Sequence, residues 1–331
     1  MLDREWLEKT VEDVVDPEVE IVDAHHHLFP SAGTRVNYEL PEFHADTGSG
    51  HNVVATVFIE CRARWRQNGP PHLIPVGETE YVAAMARNAT QGPPIAAIVS
   101  HVNLSLPPQE VAEALDAHVD AGNGLFRGIR HSGALTTDGI LTSHTPVAPG
   151  LYRTAEFQAG ARQLADRGLS FEAWQYHHQL GDVAELAAAL PHLSIIVNHM
   201  GGPLGVGVWA DRWEESLTLA SDGLDRLADH PNVVLKLGGI GMDRFATPWP
   251  STVRPPTSDE VVERWGAAIH RAINSFGTSR CMFESNYPVD SESIGYRVLW
   301  NAFKKIAAGY DSSDQADLMA GTARRIYRID S

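Results

Sequence analysis

His25 and His27 stand two residues apart at the end of an apolar run, in the stretch Ile21-Val-Asp-Ala-His-His-His-Leu28. Along a strand, residues i and i+2 share a face. The spacing therefore predicts Asp23, His25 and His27 on one side, with Ala24 and His26 on the other. Two neutral imidazoles side by side at a strand mouth make half of a metal site. Read alone, either one is as readily a hydrogen-bonded core histidine, so the remaining ligands must come from elsewhere in the chain.

Those other groups need a scaffold that brings distant segments together, and the hydrophobic pattern supplies one. After a short acidic N-terminal helix and the first strand, β-branched apolar runs recur over 53–60, 95–101, 125–130, 169–174, 193–198, 232–237 and 280–285. Between them lie helical periodicities over 78–88, 109–120, 154–167, 182–190, 211–229 and 258–276, with closing helices over 295–307 and 313–327. Residues 29–52 and 61–77 read as long loops. Eight strands, each followed by helix, predict a single (β/α)8 TIM-type barrel over residues 1–331, with a short N-terminal helix and C-terminal helices. An open doubly wound sheet would carry a Gly-rich loop after strand one, where this chain has three histidines.

Catalysis in such barrels sits at the C-terminal ends of the strands. His25, His26, His27, His101, His131, His177, His178 and His199 fall at or just past predicted strand ends, out of 16 histidines in all. Glu60, Arg130, Lys236, Glu284 and Asn286 share that rim. Arg130 suits bidentate contact with a carboxylate or an oxyanion. Glu60 reads either as a base or as a salt-bridge partner of Arg62, Arg130 or Lys236. Lys236 reads more simply as an ion-pair partner than as a Schiff-base nucleophile.

Composition narrows the partners. The chain of 331 residues has 43% hydrophobic and 21% charged residues and a net charge of -16. That charge argues against nucleic acid and anionic membranes and leaves a small-molecule substrate. The charged N-terminus predicts no secretory signal, and no apolar run reaches membrane-span length. Cys61 and Cys281 read as free thiols in a reducing cytoplasm. A homo-oligomer is the generic expectation for a soluble enzyme.

Four motifs carry a family resemblance: Ile21-Val-Asp-Ala-His-His-His-Leu-Phe29, Gly128-Ile-Arg-His131, Asn198-His-Met-Gly-Gly-Pro203 and Met282-Phe-Glu-Ser-Asn-Tyr-Pro-Val289. Together they resemble the amidohydrolase superfamily, in the amidohydrolase-2 branch that includes pyrone-dicarboxylate and sugar-acid lactone hydrolases, decarboxylases and hydratases. The resemblance implies one divalent metal, zinc before manganese, held by His25, His27, a strand-five histidine and a strand-eight aspartate. His199 would stand beside it as acid or base. His177 matches the strand-five position better than His178. At strand eight Asn286 stands where the family pattern has Asp, and Glu284, two residues earlier, is the carboxylate available to replace it. A metal-free mechanism therefore stays open.

The implied activity is hydrolysis of a small acidic cyclic ester (a lactone) or related carbonyl compound by activated water. His199, Glu60 and Arg130 would be the catalytic groups, and His101, His131, Lys236 and Asn286 the substrate contacts. Trp65, Trp249 and the run Arg62, Arg64, Arg66 read as an aromatic, cationic pocket wall or as solvated loop. The rivals are a non-oxidative decarboxylase of an aromatic or unsaturated acid and an inactive barrel that only binds a small molecule.

Overall fold

The computed structural model describes residues 3–30, 37–136 and 147–330. Eight parallel strands form one sheet in the order of the chain. They are β1 (Glu20–His26), β2 (Asn52–Ile59), β3 (Ile95–Ser100), β4 (Phe126–Arg130), β5 (Ser170–Ala173), β6 (Ile195–Val197), β7 (Val233–Leu237) and β8 (Cys281–Phe283). The seam closes just past the strands: Asn286 N donates to His25 O at 2.9 Å and His27 N to Tyr287 O at 2.8 Å. The result is the expected (β/α)8 barrel.

Around it run α1 (Arg4–Leu7), α2 (Leu40–Thr47), α3 (Val76–Asn88), α4 (Pro108–Gly122), α5 (Ala155–Asp166), α6 (Leu180–Ala189), α7 (Trp213–Ala228), α8 (Ser258–Phe276), α9 (Tyr296–Ala307), α10 (Ser312–Ala316) and α11 (Thr322–Tyr327). Their apolar faces and the outward strand residues, such as Phe58, Ile129, Phe171 and Phe283, make one large core. A second cluster, with Val22, Val57, Val99, Ile196, Val234 and Met282, is closed off by Tyr327 of α11. The lower barrel is thus packed with branched side chains, which leaves the opposite end for chemistry.

Two sequence expectations change. The span 29–52 is not wholly loop: α2 sits in it, opened by a reciprocal capping box between Glu39 and Glu42, with Glu in place of the Ser or Thr that marks such a start in a sequence. Residues 31–36 of that span lie outside the described residues, as do 137–146 of the loop after strand four. Asp23 also leaves the face of His25 and His27. The β1–β2 register slips between Asp23 and His26, and a bulge of this kind re-aims side chains. Asp23 instead accepts Ser285 N at 2.9 Å and the Tyr296 hydroxyl of α9 at 3.0 Å. Among the described residues, no helix is long and apolar enough to cross a membrane. Both cysteines are free, and burial pushes the Cys61 thiol well up.

Two buried histidines outside the cavity lining contribute to the acid limit of the fold. Burial lowers His118 to about 3 and His51 to about 4. Both therefore titrate below the unfolded value near ~6.5. Stability is whole above that value and falls as pH drops toward those folded values, by on the order of 1 kcal/mol per group per pH unit. A melting temperature that declines steadily from pH 7 to pH 5 is expected. A flat profile over that range would contradict these assignments.

Candidate active site

The first element of the site is the end of β1. His25 and His27 bring their Nε2 atoms to 3.1 Å of each other, as the spacing predicts. His27 Nδ1 bonds Ile59 O at 2.8 Å, which fixes the ring and turns Nε2 inward. The end of β8 supplies Glu284, fully buried. Its Oε1 stands 2.7 Å from His199 Nδ1 and its Oε2 2.7 Å from His25 Nδ1. Glu284 thus joins His25 and His199, whereas the strand-eight motif predicts it in a ligand set with His25, His27 and His177. Room for this approach comes from Gly239, at φ +67°, where a Cβ would lie 2.4 Å from His199 Nδ1.

Arg130 ends β4 and points into the same space. Its Nε donates to Glu60 Oε1 at 2.8 Å and its Nη2 to Glu60 O at 2.6 Å. Its Nη1 stands 3.2 Å from His25 Nε2. Glu60 is therefore the salt-bridge partner of Arg130, and its carboxylate is engaged rather than waiting as a base. Burial, reinforced by Lys236 at His25 and by Arg130 at both rings, holds His25 and His27 well below the ordinary imidazole range. Burial also lowers His199, partly offset by Glu284. All three rings are neutral at pH 7, the form that ligates a metal or accepts a proton.

Above this cluster lies a cavity of about 170 Å³. Glu60, Arg130, His101, His199, His27 and Asn286 line it, together with Arg62, Trp65, Trp174, Tyr176 and Arg244. Trp174 and Tyr176, at the end of β5, and Arg244, in the loop after β7, carried no functional signal in the sequence beyond their place near strand ends. Among the described lining residues three guanidiniums face one carboxylate. Asn286 commits its Nδ2 to Asp290 Oδ1 at 2.8 Å, which leaves its amide oxygen for the cavity.

Three predicted site residues are not brought to it. His177 lies in the turn after β5, where its Nδ1 faces Leu204 N and Ser216 Oγ at 3.3 Å each and its ring meets Trp209. Beyond Ala173 the chain leaves the strand, and Trp174 takes the central place against His199. His131 follows the inward Arg130 and so points away; its Nδ1 accepts Leu104 N and its ring packs on Phe157. Lys236 does not line the cavity but lies fully buried beneath it, paired with both oxygens of Glu172 at 3.0 and 2.8 Å, as the ion-pair reading had it, with its Nζ 3.3 Å from His25 Nδ1.

A family model described as Amidohydrolase matches residues 22–329. The chain belongs to the amidohydrolase-2 family. It is 32% identical to an uncharacterised protein, y4mH, of Sinorhizobium fredii, over 94% of this chain and 99% of that one. It is 24% identical to an L-fucono-1,5-lactonase of Burkholderia multivorans, over 53% of this chain and 56% of that one. An amidohydrolase from Burkholderia multivorans, solved with bound zinc, has the same fold, with a TM-score of 0.72 and 20% identity over 94% of this chain and 99% of that one.

The donor set of this amidohydrolase fits a divalent ion. His25, His199 and Glu284 are buried and offer ligand atoms all within 4.8 Å of one another. Glu284 Oε2 is buried without a hydrogen bond of its own, although His25 Nδ1 is close. Neutral imidazoles and a carboxylate are the ligands zinc takes in catalytic sites.

Proposed function

We propose that this amidohydrolase opens a small anionic cyclic ester by attack of water on its carbonyl. The observation that carries this reading is the charge of the cavity: among the described lining residues Arg62, Arg130 and Arg244 stand with one carboxylate, Glu60, in a chain whose net charge is -16. A pocket so charged against the trend of the whole protein selects an anion.

The residues divide the work. Arg130, held rigid by Glu60, presents its guanidinium to the carbonyl oxygen as negative charge develops there. His199 gives Nδ1 to Glu284, so Nε2 is the nitrogen left for the cavity; it takes the proton of the attacking water and returns it to the leaving alkoxide. Ring opening leaves a product that is still one molecule and carries an additional carboxylate. A metal bound by His25, His199 and Glu284, zinc first among the candidates, would polarise the carbonyl and acidify water, taking over the base role of His199, whose ring would then be a ligand.

The test is proton release from a panel of lactones, some with a carboxylate and some without, together with aromatic and unsaturated acids assayed for carbon dioxide. The reading expects kcat/KM for carboxylated lactones to exceed that of neutral ones by about tenfold or more, the value of a charged hydrogen bond. Carbon dioxide from the acids without lactone turnover would replace it with a decarboxylase. Binding of the panel without any turnover would leave an inactive binding barrel.

A further inference from the structure

One wall of the cavity is the loop after β2, which the barrel anchors at Glu60 through Arg130 and a helix outside the barrel shapes beyond it. Residues 60–66 follow β2 and contribute Glu60, Arg62 and Trp65 to the lining. Arg62 and Arg64 adopt left-handed backbone angles, φ +68° and +53°, which side-chain-bearing residues take only where the surroundings hold them there. What holds them is the first turn of α3. Glu78 Oε1 accepts Cys61 N at 2.9 Å and Ala63 N at 2.6 Å, so one oxygen spans Arg62 from both sides. Next to it Gly77 lets the helix lie against the loop, where a Cβ would stand 2.6 Å from Arg64 O and Arg66 N.

The side chain that makes this clamp is unusual. Glu78 is fully buried, and among the described residues no cation pairs with it and its Oε2 has no hydrogen-bond partner. Burial and the nearby Glu60 push its carboxyl up to about 8, so it serves near neutrality largely as a carbonyl oxygen at the end of a three-bond arm. A buried acid is a costly way to supply that oxygen, and the wall it supports is the part of the cavity with the most to offer an anion. The Arg62 guanidinium lies 4.6 Å from the centre of the Trp65 ring, and Trp65 is stacked on His101. Among the described residues the indole N–H of Trp65 has no hydrogen-bond partner.

We infer that Glu78 is a positioning residue for substrate recognition, holding Arg62 and Trp65 in place for a carboxylate-bearing ligand by its two-amide clamp on the loop after β2. This rests on the proposed anionic substrate, but not on its hydrolysis. The clamp requires the reach of the side chain, not its charge.

Two conservative variants separate these properties. Glu78→Asp keeps the acid and shortens the arm; Glu78→Gln loses the acid and keeps an oxygen at the same reach. Citrate is the probe, titrated calorimetrically into the full-length protein, with amide exchange at Cys61 and Ala63 followed in the absence of ligand. Glu78→Asp is expected to weaken citrate about tenfold or more and to speed exchange at both amides, while Glu78→Gln stays within about threefold of the parent, because a displacement of about 1 Å is enough to misplace a binding group. The reverse pattern, equal loss in both variants, or no change in either would overturn the inference. So would a parent protein that takes up no citrate at about 10 mM, a Kd near ~10 mM being already weak binding. Citrate binding with the expected pattern, beside a lactone panel that is not hydrolysed, would sink the proposed reaction and leave the clamp standing.

Discussion

Lys236→Met is expected to destabilise the protein by about 3–5 kcal/mol, the usual cost of stranding one partner of a buried ion pair. Lys236 and Glu172 are both wholly buried, with Nζ 2.8 Å from Glu172 Oε2. Without the lysine, Glu172 keeps only Asn198 Nδ2 and the Tyr327 hydroxyl, two neutral donors for a full negative charge. For a chain of this size the loss amounts to a fall in melting temperature of about 5–8 °C. Removing both charges, as Lys236→Met with Glu172→Leu, should recover most of it, since apolar replacement of a buried pair is often neutral. The measurement is thermal unfolding of the three proteins. A single variant that melts with the parent, or a double variant no better than the single, would mean that the pair is not what fills this part of the barrel.

Glu284→Gln has the largest expected effect on activity, a fall in kcat of about 10³–10⁴-fold, by analogy with loss of the acid that orients a catalytic histidine. The carboxylate accepts from His199 Nδ1 and faces His25 Nδ1. An amide in its place can present a donor to one of the rings, which selects the wrong tautomer and leaves His199 Nε2 protonated. The same change removes the one carboxylate of the metal cluster, so a divalent ion carried by the purified parent should be lost from the variant. Asn286→Ala offers the contrast. Asn286 touches the cavity through a neutral amide, and about tenfold in kcat/KM is expected from loss of one neutral hydrogen bond. Equal losses in the two variants would return the central role to Asn286, the position where the family pattern has its aspartate.

The barrel was legible because parallel strands buried on both faces leave continuous β-branched runs, and helices between them leave a 3.6-residue period. The rim was legible because strand ends collect polar side chains that a core would reject. His25, His27, His199, Arg130 and Glu284 meet as their strand positions imply. What failed did so where the chain leaves strand geometry. The slip between Asp23 and His26 breaks the two-residue alternation. The turn over His177–Gln179 carries His177 away from the axis and gives its place to Trp174. Lys236, inside its strand rather than beyond it, is held a layer too deep to reach substrate. Glu78 could not have been found by pattern at all, because its partners are backbone amides of a loop whose shape no periodicity encodes.

The most direct test of water attack at this site is turnover, in water enriched in oxygen-18, of whichever lactone the panel shows to be a substrate, with the product analysed by mass. A labelled oxygen in the new carboxylate, appearing at the enzymatic rate and suppressed in Glu284→Gln, is the predicted result. An unlabelled product, or one lighter by carbon dioxide, would contradict it.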